Sequence, residues 1–72
     1  MVKDLVTMYK GLAYAETRLQ QTRERWLEAQ ENDPYNADIL ESKLDAIKEK
    51  ILSKYSKFFD ITISDDYELV WQ

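Results

Sequence analysis

The sequence predicts a mainly α fold: an antiparallel helical hairpin of two long helices, followed by a short C-terminal β-hairpin or strand. Three observations predict it. Apolar residues keep a seven-residue beat from Val2 to about Asn32. The single proline falls in the polar run Asn32-Asp33-Pro34-Tyr35-Asn36 and interrupts that beat. After Lys57 the apolar period changes from helical to alternating, as in a strand. A chain of 72 residues holds one domain. Its expected boundaries are a helix over about 2–32, a turn at 33–36, a helix over about 36–58 and an acidic β tail at 59–72.

In the first helix Leu5, Leu12, Leu19 and Trp26 form one row, and Met1, Met8, Ala15, Thr22 and Ala29 the alternate row. Such a seam belongs to helices that pack in the manner of a coiled coil. A helix of roughly 30 residues is about 45 Å long. Gly11 is the one weak helix former within it, at a cost of up to about 1 kcal/mol against alanine. Together with Ala13 and Ala15 it makes a run of small side chains. That run is expected to make room for the ring of Phe58 or Tyr55 across the hairpin, or else to be a crossing point for a partner helix or the tail.

At the break, either Asp33 caps a helix that has Pro34 in its first position, or Asn36 caps one that starts at Ala37. The second seam then runs through Ala37, Leu40, Leu44, Ile47, Ile51 and Phe58, with Lys54 where an apolar residue would belong. Ile39, Leu52, Tyr55 and Phe59 widen the stripe. A connection this short makes the helices antiparallel. That register sets Trp26 near Leu40, Leu19 near Ile47, Leu12 near Ile51 and Leu5 near Phe58.

In the tail, Phe59, Ile61 and Ile63 alternate with Asp60, Thr62 and Ser64, and Tyr67, Leu69 and Trp71 with Glu68 and Val70. A three-residue loop of Ser64, Asp65 and Asp66 would oppose Ile63 to Tyr67, Ile61 to Leu69 and Phe59 to Trp71, giving one apolar face. A two-residue loop would scramble the faces. The alternative is a single strand donated to another chain.

Composition narrows the chemistry. The chain has no cysteine and no histidine, which removes disulfides, thiolate or imidazole metal sites and the usual neutral-pH general base. There is no Gly-rich phosphate loop. No catalytic, cofactor or metal site is therefore expected, and the chain reads as a non-enzyme. The net charge of -4 comes entirely from Asp60, Asp65, Asp66 and Glu68, because the rest of the chain carries equal numbers of acids and bases. No apolar run is long enough to span a bilayer, and the start lacks the layout of a secretory signal, so a cytoplasmic location is expected.

Two helices leave each seam half covered, to be closed either by the tail or by a second copy; Leu5, Tyr9, Leu12, Leu44, Ile51, Leu52 and Tyr55 are candidates for self-association, with a dimeric four-helix bundle as the expected product. Val2, Val6 and Leu27 also flank the seam. Candidates for binding a protein partner are the off-seam rings Tyr14 and Tyr35 and the tail residues Asp65, Asp66, Tyr67, Glu68, Leu69 and Trp71. Arg18, Arg23 and Arg25 on the first helix, and the row Lys43, Lys50 and Lys57 on the second, are balanced by acids, so a nucleic-acid partner is not expected, nor is a membrane.

The expected function is that of a small acidic accessory or inhibitor protein, of the kind carried by phages and mobile elements, which occupies a partner's surface. One alternative is a self-assembling structural subunit. Another is a Mg-dependent hydrolase resembling the all-helical nucleotide pyrophosphatases. That resemblance rests on Glu28-x-x-Glu31 and Asp38-x-x-Glu41, which match their metal-binding pairs in spacing.

Overall fold

A computed structural model describes residues 2–72, with side chains from Leu5 onward. Met1 of the expected seam and the side chain of Val2 lie outside the described residues. Two helices, α1 (Val2–Asn32) and α2 (Pro34–Tyr55), pack antiparallel and carry a two-stranded antiparallel sheet of β1 (Ile61–Ile63) and β2 (Leu69–Trp71). The longest dimension, 46 Å, is the length of α1.

The turn between the helices is a single residue. Asp33 leaves helical geometry at φ -154 and ψ 80, and its carboxylate accepts from the backbone N–H of Asn36. Pro34 occupies the first turn of α2, where its missing N–H is harmless. The Asp33 cap thus prevails over the Asn36 cap, and α2 starts two residues earlier than expected.

The other end of α2 differs more. The helix stops at Tyr55, where the hydroxyl and backbone N–H of Ser56 both donate to the carbonyl of Leu52. The amides of Phe58 and Phe59 then donate to the Tyr55 carbonyl in a tight turn. Phe58 is therefore not a seam residue: it is half exposed, and so is Leu5, its expected partner. Because α2 is nine residues shorter than α1, the first turns of α1 project past it.

The middle of the seam is as expected. Leu12, Leu19, Leu44 and Ile51 are fully buried and form the core with Tyr55, and Met8, Ala15, Trp26 and Ile47 pack against it. Ala29, Ala37 and Leu40 make a second cluster at the turn, joined to the first through Trp26. Ile39 and Leu27, expected to widen the stripe or flank it, are 45% and 40% exposed and lie outside both core clusters. Gly11 makes room for Tyr55: a Cβ there would lie 2.6 Å from the Tyr55 hydroxyl.

The tail folds back on its own helices as a β-hairpin. Ile61, Ile63 and Tyr67 are buried in the core, and Phe59 and Leu69 pack against it. The register is Ile61 with Trp71, Thr62 with Val70 and Ile63 with Leu69, two residues away from the expected pairing. A shift of two preserves the side-chain alternation, so the expected apolar face survives. The loop spans 64–68, closed by Ser64 N–H to the Glu68 carbonyl, Tyr67 N–H to the Ser64 carbonyl and Glu68 N–H to the Ser64 hydroxyl. Tyr67 takes the left-handed position at φ 64, a conformation that costs a non-glycine residue about 1 kcal/mol or more. Contacts of its side chain offset that cost.

Candidate functional site

Those contacts fix the hairpin tip. The Tyr67 ring meets Trp26 edge-on at 5.2 Å between centroids, and its hydroxyl donates to Asp45 Oδ1 at 2.6 Å. The hydrogen bond to the Asp45 carboxylate, then burial, then the negative charges of Asp45, Glu41 and Asp65 push the Tyr67 hydroxyl from 10.0 up to about 12. From α1, Arg23 donates through Nε to the Asp66 carbonyl at 2.6 Å and pairs with Glu68 at 3.0 Å. Tyr67 and Glu68, expected as partner-binding residues, are thus spent on the internal fold: Tyr67 is core, and Glu68 is tied to Arg23 while keeping an exposed flank.

The closed hairpin also changes the expected self-association surface. Leu12, Leu44, Ile51 and Tyr55 are covered within one chain, in a core that includes Ile61, Ile63 and Tyr67 of the tail. Leu52 is half buried. Of that set, Leu5 and Tyr9 face solvent, at 48% and 51% exposure.

Two surfaces remain. The first is the open end of the molecule, where α1 outruns α2. Tyr9 of α1, Phe59 of the turn and Trp71 of β2 form a triangle of rings with centroids 6.1 Å (Tyr9–Phe59), 6.2 Å (Tyr9–Trp71) and 5.8 Å (Phe59–Trp71) apart. Trp71 lies one residue from the end of the chain yet is held, because Gln72 N–H donates to the Asp60 carbonyl and β2 pairs with β1. Trp71 stays 51% exposed, with Leu5, Val6 and Phe58 also half exposed.

The second surface lies on the side of the helix pair away from the hairpin. A groove of 410 Å³ runs between α1 and α2 over Ala15 and Ile47, rimmed by Tyr14, Arg18, Lys50 and Lys54. Among the described residues no acid lines it. Helical geometry explains why. Arg18 is five residues from Arg23, and Lys50 five from Asp45, so each points about 140° around its helix from the hairpin-facing residue. Arg25 and Lys43, two turns along, stand at a second hollow on that side, together with Glu28 and Asp33. The rim of the first groove is therefore cationic, at Arg18, Lys50 and Lys54, whereas Glu41, Asp45 and the acids of the tail lie with Arg23 on the hairpin side.

Tyr14 lines the groove and is 71% exposed; Tyr35, in the first turn of α2, is exposed. Asp65 and Asp66 are exposed in the loop, and Leu69 of β2 is half buried against the core. The tail and Tyr9 come together at the open end; Tyr14 and Tyr35 belong elsewhere. Arg23 as hairpin anchor and the convergence of Arg18 with Lys50 and Lys54 escaped the sequence reading, although laying the flanks of the two seams side by side in antiparallel register would reveal the latter. Among the described residues no group of three or more acids is placed to hold a metal ion, so Glu28, Glu31, Asp38 and Glu41 do not converge. No described helix is long and apolar enough to cross a membrane. No family model matches the chain, and no curated protein or solved structure matches it.

Proposed function

We propose that this chain is a non-catalytic protein-binding module that acts as an accessory or inhibitor by occupying a partner's surface with its open end. The observation that supports this is the triangle of Tyr9, Phe59 and Trp71, two of whose rings are half exposed yet braced by their neighbours. Braced aromatic side chains lose little conformational entropy on binding and dominate interface energies. The complementary partner offers an apolar hollow that admits the Trp71 indole.

The test is affinity capture from a lysate of the source cells with the full chain and with Tyr9→Ala/Trp71→Ala, after circular dichroism has established that both fold. A specific protein held by the full chain and released by the variant supports the proposal. Identical captures by both, or none by the full chain, refute it. A second reading is a structural subunit that pairs with itself through this end, favoured by the half-exposed Leu5, Val6 and Phe58 beside the rings. It predicts a dimer in solution that the same double substitution dissociates.

A further inference from the structure

The cationic rim bears on what the groove receives. Its rim is cationic at Arg18, Lys50 and Lys54, and its floor of Ala15 and Ile47 is apolar. The outward face of the β-hairpin has the opposite character. Thr62 and Val70 form a cross-strand pair on that face, Val70 is 41% exposed, and Asp60 flanks the pair in the same alternation. Asp65 extends the acidic character into the loop.

We infer that the groove is a docking site for the acidic hairpin of a second copy of this chain. Val70 and Thr62 cover the Ala15 and Ile47 floor, and Asp60 and Asp65 are drawn to the cationic rim. The two surfaces lie on opposite sides of one molecule, so the contact is heterologous: each copy offers its hairpin to the next and its groove to the one before, and the assembly grows in a row instead of closing as a symmetric dimer. This inference is independent of the aromatic end, which stays free in such a row.

Charge sets the conditions. Each copy carries a net charge of -4, so copies repel at long range while the facing patches attract at contact. At about 0.1 M salt the screening length is about 10 Å, short enough to blunt the repulsion of distant charges; at about 1 M it is about 3 Å, and the contact pairs weaken too. Self-association is strongest at the lower of these and falls at the higher.

The experiment is sedimentation velocity on the full chain over a range of concentrations at both salt levels, together with Lys50→Glu/Lys54→Glu and Asp60→Lys/Asp65→Lys. All four positions are exposed, and helix content by circular dichroism checks each fold. The expected results are concentration-dependent growth of the full chain beyond a dimer at 0.1 M salt, loss of association by at least about tenfold in either variant alone, and recovery when the two variants are mixed. The mixture is decisive because the reversed groove of one variant then faces the reversed hairpin of the other. A full chain that remains monomeric, a closed dimer indifferent to both reversals, or a mixture that fails to recover overturns the inference and leaves the groove to an acidic segment of a different protein.

Discussion

Replacing Tyr67 with phenylalanine isolates one hydroxyl on which the hairpin tip depends. The ring stays against Trp26, so the apolar contact is retained, and what disappears is the 2.6 Å hydrogen bond to Asp45. Hydrogen bonds to charged groups contribute about 1.5–3 kcal/mol net, and this one falls below that range because the exposed Asp45 regains water when the hydroxyl is removed. The expected loss is about 1 kcal/mol, or about 4–8 °C in Tm for a domain of this size. The sign of the pH dependence follows from the raised hydroxyl. Below pH 10.0 both folded and unfolded chains hold the proton and the contribution is complete; between pH 10.0 and about 12 the unfolded chain releases a proton that the folded chain keeps, so the contribution shrinks. Thermal unfolding of both chains by circular dichroism, at pH 7 and in steps through the alkaline range, should show a gap in Tm that narrows over that window. Equal Tm values at pH 7, or a gap unchanged up to pH 12, would refute the role assigned to the Tyr67–Asp45 pair.

Further predictions concern the core and the anchors. Gly11→Ala gains about 1 kcal/mol of helix propensity but overpacks against the Tyr55 hydroxyl by about 1–3 kcal/mol. It should therefore be neutral or destabilising in the native chain and stabilising in a Tyr55→Phe background; the same effect in both, measured by urea unfolding, would contradict the contact. Leu44→Ala, at a position with no exposure, should cost about 2–5 kcal/mol and leave much of so small a domain unfolded, as read from the urea midpoint. Arg23→Ala should cost only about 0.5–1 kcal/mol globally, because its ion pair with Glu68 is solvent-facing. It should nevertheless speed hydrogen exchange at the Tyr67 and Glu68 amides selectively, since the Asp66 carbonyl loses its donor.

The seam from Leu12 to Leu40 was legible in the sequence because burial in a helix pair imposes a period that spacing alone reveals. That a second helix starts between Asp33 and Ala37 was legible for a similar reason, cap chemistry being local, but the choice of the Asp33 cap over the Asn36 cap was not. The end of α2 was not. Phe58 continues the seam spacing, and only the competition between one more helical turn and the pull of the hairpin onto the core ends the helix at Tyr55. The strand register also depended on a residue no propensity would select, since Tyr67 adopts left-handed geometry for the sake of Trp26 and Asp45, which lie far away in the chain. Because alternation has a period of two, the apolar face could be read correctly even though the loop could not. The half-covered seam called for a cover, either the tail or a second chain, and the tail residues Ile61, Ile63 and Tyr67 join the core of the same chain.

The most direct test of that last point uses a sample mixed from isotopically labelled and unlabelled chains, in which nuclear Overhauser contacts within a chain are separated from those between chains. The fold described here predicts that contacts between Tyr67 and Trp26, and between Trp71 and Tyr9, appear only within a chain. If they appear between chains, the hairpin is exchanged between copies, and the single-chain core proposed here is wrong.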